Sequence, residues 1–302
     1  MKPTMTQKRV IALGFFDGVH LGHGALLKKT LQRAKELDAV PTAFTFDVHP
    51  ASQILGHQTP LLSTREDKAG LMERCYGIRE LVVGRFDRMV RMDWRDFVRC
   101  YLREELGAVH VVAGHDFHFG YRGEGNPARL KALCAELGLG CDIIEKVEVD
   151  GIAVSSTYIR TLVAQGETER AMEFLGHPHV YTGTVVHGKQ LGRTIGFPTA
   201  NLTVPEGILV PAHGVYAAKV ITPDGVSRMA VTNVGRRPTV DDGDAVTIES
   251  WILDYSGDLY GRQIRVEYYA HLREERKFPS LEELTAMVYR NAEQTRAYFQ
   301  TK

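Results

Sequence analysis

Apolar residues follow two rhythms along this chain, one in each half. In the first, short apolar runs alternate with amphipathic stretches. Arg9 to Phe16 reads as a short buried strand. From Ala25 to Leu37, Leu27, Leu31 and Ala34 recur at i, i+4 and i+7, which predicts a helix with one inward stripe and with Lys28, Lys29 and Arg33 mostly outside it. Val40 to Phe46 supplies the next strand, so the opening predicts a βαβ unit with parallel strands and a right-handed crossover. The alternation continues through Leu81–Val83, a helix around Trp94 to Leu106, Val109 to Ala113, a helix around Pro127 to Leu137, and Cys141 to Ile144. This pattern predicts an α/β fold with a doubly wound parallel sheet from residue 9 to about 160.

The second rhythm is shorter. A helical stretch from Tyr158 to Leu175, interrupted near Gly166, ends in Gly176-His-Pro178. Beyond it, β-rich segments separated by Gly, Pro and Asp run over Tyr181–Val186, Gly214–Ile221, Ser227–Asn233, Val246–Leu253 and Gln263–Tyr269, a spacing that predicts a small closed barrel. Ser280 to Phe299 reads as a terminal amphipathic helix, opened by the capping box Ser280-Leu-Glu-Glu283. Two domains are expected, 1–178 and 179–302.

Composition narrows the class. A chain of 302 residues, 44% of them hydrophobic, is long enough to bury two cores. Its 37 basic and 37 acidic side chains cancel, which excludes a general nucleic-acid or anionic-membrane surface and makes any phosphate site local. Cys75, Cys100, Cys134 and Cys141 form no C-x-x-C pair and suit small core residues in a reducing cytosol. No leader or membrane-spanning run is legible. The expectation is a cytoplasmic protein, a monomer or weak homo-oligomer, with neither nucleic acid nor membrane as partner.

The chemistry gathers after strands. Gly14-Phe-Phe16-Asp17-Gly18-Val-His20-Leu-Gly22-His23 runs from a strand through a glycine-broken turn into a helix. Free N–H groups and the helix dipole favour anions there. Imidazoles can add hydrogen bonds to phosphate oxygens and to a leaving pyrophosphate. The histidine pair alone also fits ordinary turn chemistry or metal ligation, although no nearby cysteine or third histidine completes a ligand set. Asp17 can cap the turn or face a metal. Thr45-Phe-Asp47-Val48-His49-Pro50 and Gly114-His-Asp116-Phe117-His-Phe-Gly120 follow two further strands, and the second also fits a capped turn with two stacked aromatics. Ser155-Ser156-Thr157-Tyr-Ile-Arg160 combines hydroxyls and a guanidinium at a helix entry, suited either to capping or to gripping phosphate.

In the second half, Gly183 to Gln190 nearly matches a P-loop but is rejected, because Gln190 replaces the magnesium-binding hydroxyl and no amphipathic helix follows. Pro198-Thr199-Ala-Asn201 places two oxygen-bearing side chains two residues apart, able to share one side of an extended segment and serve a hard cation, or to form a turn. Thr247, Glu249 and Trp251 alternate onto one face of a strand, setting a carboxylate beside an aromatic. A lone strand glutamate is usually just solvated.

These strings resemble a known family in order and across residues 9 to 299. The Gly14 to His23 and Ser155 to Arg160 elements resemble the nucleotidylyltransferase signature, specifically the FMN adenylyltransferase module of bacterial FAD synthetases. The segment from Gly183 to Asn201, with Gly214 to Ala217, Asn233 to Thr239, Glu249 to Gly261 and His271 to Phe278, resembles riboflavin kinases. The resemblance implies a Rossmann-like nucleotidylyltransferase domain followed by a riboflavin kinase barrel, together a bifunctional enzyme using riboflavin, FMN, ATP and Mg2+ to make FMN and FAD. In the first domain it implies that Gly14, Phe16, Asp17, His20, Gly22, His23, Ser155, Ser156, Thr157 and Arg160 hold ATP, with His20, His23 and Arg160 catalytic and with Asp47, His49, Asp116 and Phe117 on the flavin. In the second it implies ATP on Gly183, Gly188, Lys189, Gly192, Arg193, Thr199 and Asn201, metal on Thr199 and Asn201, and flavin on Gly196, Phe197, Pro198 and Arg273. There Glu249 would be the general base. Val48, His115 and Asn291 depart from the usual pattern, standing where proline, an aromatic residue and an acidic residue are common. A single-activity enzyme and a non-catalytic flavin sensor are the rival readings.

Overall fold

The computed structural model describes residues 7–48, 58–188, 196–239 and 243–301. By density of contacts the chain divides into two compact units, one of residues 1–59 and 68–155, the other of residues 60–67 and 156–302.

In the first unit, β1 (Arg9–Leu13) leads through a tight turn to α1 (Leu21–Leu37) and β2 (Val40–Phe46). Then come α2 (Arg65–Tyr76), β3 (Glu80–Gly84), the short α3 (Phe86–Met89), α4 (Trp94–Asp96), β4 (Ala108–Gly114), α5 (Pro127–Leu137) and β5 (Gly140–Ile144). Five parallel strands lie in the order β3-β2-β1-β4-β5. The order reverses between β1 and β4, so the crevice beyond their carboxyl ends is where such a sheet receives ligands. Ile11, Leu13, Phe44, Phe97, Val111 and Leu130 form part of the core under it.

Three local results differ from expectation. On α1 the inward stripe is Gly24, Leu27, Thr30 and Ala34, whereas Leu31 is 41% exposed. The Thr30 hydroxyl can be buried because it donates to the Leu26 carbonyl at 2.9 Å. The helix read over Trp94 to Leu106 is α-helical only through Asp96 and then runs π-helically over Phe97–Glu105, with the Leu106 N–H donating to Tyr101 O, five residues back, at 3.0 Å. Cys75 and Cys100 are exposed, so only Cys134 is the fully buried cysteine expected, with Cys141 half-buried.

Between β5 and the second unit, β6 (Glu148–Val149) and β7 (Ile152–Ala153) pair as a small hairpin. Its turn residues Asp150 and Gly151 both take positive φ, the conformation that Asp-Gly hairpins favour.

The second unit opens with α6 (Ser156–Ala164) and α7 (Thr168–Leu175). It continues with β8 (His179–Val186), β9 (Thr199–Thr203), β10 (Gly214–Ile221), β11 (Ser227–Thr239), β12 (Gly243–Ile252) and β13 (Gln263–Arg273). These six strands close a barrel in the order β10-β11-β12-β9-β8-β13, and α8 (Leu281–Gln300) follows. The capping box is in place, with Ser280 Oγ accepting the Glu283 N–H at 3.2 Å. Ile248 and Ile252 point into the barrel with Leu202, Val234, Tyr216 and Tyr268. The alternate residues Glu249 and Trp251 therefore face outward. Residues 60–67 are counted with this unit: Leu61 exchanges backbone hydrogen bonds with Gly207 and Leu209, and Asp67 accepts from the Thr182 hydroxyl at 2.6 Å. Among the described residues no helix is long and apolar enough to cross a membrane.

Candidate functional site

The first site grows from the turn after β1. Its backbone is sterically demanding: Phe16, Gly18 and Val19 have φ of 57°, 75° and 44°, and positive φ is costly for a β-branched residue. Two donors converge on the carbonyl that precedes it. Thr45 Oγ1 donates to Phe15 O at 2.8 Å and Lys68 Nζ donates to the same oxygen at 2.6 Å. The ring of Phe16 is fully buried and meets that of His23 edge-on at 5.1 Å, so Phe16 supports the turn from inside. Gly14 closes β1 with its N–H on Phe44 O.

His20 caps α1. Its Nδ1 accepts the His23 N–H at 3.3 Å, which leaves the proton of the neutral ring on Nε2. The rings of His20 and His23 stack with centroids 3.6 Å apart. Burial, then the neighbouring His20 and Lys68, holds the His23 imidazole well below its usual range. His23 Nδ1 is buried without a hydrogen-bond partner among the described residues. A neutral His23 beside His20 at a helix N-terminus can offer a hydrogen bond to an anion without adding a second charge to the pair. Gly22 lies in the first turn of α1, and the Cβ of any larger residue at Gly24 would lie 2.3 Å from the Tyr76 hydroxyl.

Lys68 is the residue that sequence reading missed. It is 5% exposed, its ammonium is 4.1 Å from the Phe15 ring centroid, and Asp17, itself buried, faces it electrostatically. Burial pushes its ammonium down to about 8, against the pull of Asp17. No spacing motif links it to the turn. The one available signal was the capping pattern Thr64-x-x-Asp67 that starts its helix, where the Asp67 N–H donates to Thr64 Oγ1 at 3.0 Å.

Other predicted residues of the first site fall at the same sheet edge, after β2 and β4. Asp47 Oδ1 accepts the Phe86 N–H at 2.9 Å and so starts α3. Asp116 and His115 are exposed on the loop after β4, and the rings of Phe117 and Phe119 stack at 5.5 Å. Ser155 ends the first unit, while Ser156, Thr157 and Arg160 lie on α6 in the second. His49 lies outside the described residues.

The second site lies on the outer face of the barrel. In register, Glu249 stands between Asn201 of β9 and Asn233 of β11. Thr199, Phe197, Glu249, Trp251, Asn233, Arg273 and Asn291 line a cavity of about 330 Å³. Arg273 Nε donates to Asn291 Oδ1 at 3.1 Å, so the departure at Asn291 still supplies an acceptor to the guanidinium. A second cavity of about 450 Å³ is lined by Thr199, Asn201, Gly188, Gly196, Pro198 and Tyr260 among others. Both volumes lie in the range of small-molecule sites. Thr199 borders both cavities. The three consecutive residues read as flavin contacts divide between them, Phe197 in the first and Gly196 and Pro198 in the second.

Thr199 and Asn201 share one side of a barrel strand, with Asn201 Nδ2 donating to Thr199 Oγ1 at 3.3 Å. That bond sets an amide beside a hydroxyl, and their oxygens are a donor set that fits a hard cation. Gly183 is not a loop residue, since β8 runs on through Val186 and the loop starts at His187, whose ring stacks on Tyr260 at 3.9 Å. Lys189, Gly192 and Arg193 lie outside the described residues.

Family models match this chain as FAD synthetase over residues 2–158 and as riboflavin kinase over residues 175–299. A bifunctional riboflavin kinase/FMN adenylyltransferase of Listeria monocytogenes is 38% identical over 294 residues, spanning 96% of this chain and 92% of that protein. The Bacillus subtilis protein of the same name is 36% identical over 300 residues, spanning 97% and 93%. Among solved structures, a macrolide-efflux protein from Streptococcus pneumoniae superposes with a TM-score of 0.84 at 29% identity over 97% of this chain and 95% of its own. With both matches in the expected order and relatives alike over nearly its whole length, the chain belongs to the bifunctional riboflavin kinase/FMN adenylyltransferase family.

Proposed function

We propose that this protein carries out two ATP-dependent steps, phosphorylating riboflavin to FMN and adenylylating FMN to FAD, with the division of labour at residues 178 and 179. The observation that carries the residue assignment is the register of β9, β12 and β11. It sets Glu249 beside Asn201 and Asn233, with Thr199 on the border of two adjoining cavities.

In the kinase step, riboflavin occupies the cavity of Glu249 and Trp251, and ATP the one beside Gly188 and Asn201. Glu249 accepts the proton of the ribityl 5′-hydroxyl as its oxygen bonds to the γ-phosphorus, and the bond from that phosphorus to the bridging oxygen breaks to release ADP. Thr199 and Asn201 would hold Mg2+, which neutralises phosphate charge. In the adenylyl step a phosphate oxygen of FMN bonds to the α-phosphorus of ATP and pyrophosphate departs. FMN supplies the nucleophile, so the protein orients and neutralises. His20 and His23 take the phosphate oxygens at the head of α1. Asp116 and Phe117 address the flavin, and Asp47 positions the neighbouring loop. Roles for Ser155, Ser156, Thr157 and Arg160 on the triphosphate are proposed from the sequence resemblance. Balanced charge supports a protein without nucleic-acid or anionic-membrane partners, four scattered cysteines without a C-x-x-C pair support a cytoplasmic one, and a monomer or weak homo-oligomer is the state proposed with them.

The purified protein, given riboflavin with Mg-ATP and separately FMN with Mg-ATP, is expected to make FMN in the first case and FAD in both. No FAD from FMN would reduce the reading to a kinase. Binding of riboflavin and ATP without any product would make it a flavin sensor.

A further inference from the structure

We propose that Lys68 is a positioning residue for adenylyl transfer, acting through the Phe15 carbonyl and through His23 rather than on substrate. The inference rests on the reading of the His20 and His23 turn as the adenylyl site.

Lys68 is a cation buried inside the first unit beside that turn. It is 5% exposed, and its ammonium donates to Phe15 O at 2.6 Å. Thr45 Oγ1 occupies the other side of the same oxygen at 2.8 Å. The next residue is Phe16, in the left-handed region at φ 57°, and the turn also holds Gly18 and Val19 at positive φ. A peptide fixed by two donors immediately before such residues sets the direction in which His20 and His23 leave the turn. A neutral amide or hydroxyl donor could hold that carbonyl at lower desolvation cost, since burying an ammonium is unfavourable unless its charge is used.

The charge has a use here. The groups facing His23 electrostatically are His20, its ring partner at 3.6 Å on the same turn, and Lys68 from α2, while Asp17 faces Lys68. A cation behind the pair disfavours an imidazolium at His23. It thereby preserves the stacked arrangement, which two like charges would disrupt. Lys68 so joins two functions, fixing the turn by its N–H and keeping His23 neutral by its charge.

The test measures FAD formation from FMN for wild type, Lys68→Met and Lys68→Arg across pH, with riboflavin phosphorylation by the same preparations as the control for folding. For Lys68→Met, kcat for FAD formation is expected to fall at least about tenfold while the KM for ATP changes less than about threefold. The acid limb of its pH profile is expected to move up by about half a pH unit or more, because His23 loses a neighbouring cation. Lys68→Arg keeps the charge and should return the acid limb to the wild-type position. Riboflavin phosphorylation should stay within about twofold in both variants. An unchanged kcat with an unchanged acid limb would overturn the proposal. So would a large rise in the KM for ATP at constant kcat, which would make Lys68 a substrate ligand. Failure of the wild-type protein itself to make FAD would instead sink the underlying reading of the site.

Discussion

His20 Nδ1 accepts the backbone N–H of His23 at 3.3 Å, and the two imidazoles lie stacked 3.6 Å apart. Each ring therefore fixes the other's tilt at the head of α1. Replacing His23 by alanine removes one proposed phosphate contact and the ring that supports His20. FAD formation from FMN should fall about 100- to 1000-fold, the usual cost of one donor to developing charge. FMN formation from riboflavin should be unaffected, and product chromatography of both reactions reads the contrast. A soluble, folded His23→Ala protein that had lost both reactions would contradict two separate sites.

Glu249 makes the reciprocal case. Its neighbours in register are the amides Asn201 and Asn233, so Glu249→Gln keeps the shape and removes the carboxylate proposed as the proton acceptor. Riboflavin phosphorylation should drop about 100- to 10,000-fold with riboflavin binding preserved. FAD formation from supplied FMN should continue at the wild-type rate. Retained phosphorylation in Glu249→Gln would place the base elsewhere.

How far these assignments were legible in the sequence depended on whether the physics was local. Short apolar runs between helical stretches identified all five strands of the parallel sheet, whose central members are buried on both faces, and β-rich segments between Gly, Pro and Asp identified five of the six barrel strands. The missing barrel strand, Thr199–Thr203, was read as a motif, since Pro198 and Asn201 also suit a turn. Residues 60–67 could not be assigned to the second unit from composition, because their contacts with Gly207, Leu209 and Thr182 lie more than a hundred residues away. Lys68 was hidden for the same reason. Nothing within α2 shows that the partner of its ammonium is a carbonyl 53 residues earlier. The divided lining of Gly196, Phe197 and Pro198 also needed the fold, since these neighbours lead from a turn at Gly196, φ 89°, into the strand that starts at Thr199 and border different cavities.

Gly188 offers a test of the ATP side of the kinase site. A Cβ placed there would lie 2.6 Å from Asn201 Oδ1, closer than real contacts allow, so Gly188→Ala must displace the amide that sits beside Thr199. Riboflavin phosphorylation should fall by about tenfold or more, with the KM for Mg-ATP carrying much of the change. Adenylylation of FMN gives the internal control. An unaltered KM for Mg-ATP would remove Asn201 from the nucleotide site.

His179 ties the stability of the second unit to pH. The imidazole is buried at the start of β8, its Nε2–H donates to the Leu62 carbonyl at 3.1 Å, and burial, with His177 nearby, pushes it down to about 4. Above the unfolded value of about 6.5 neither state binds the proton, and stability is full. As pH falls from about 6.5 toward 4, the unfolded chain takes up a proton that the folded one refuses, so stability is lost by up to about 3 kcal/mol. His179→Gln retains a donor for Leu62 O but cannot titrate. Thermal unfolding at pH 7 and pH 4.5 should show a smaller drop in Tm for this variant than for wild type. Equal drops would mean that the acid sensitivity of this unit arises from other groups.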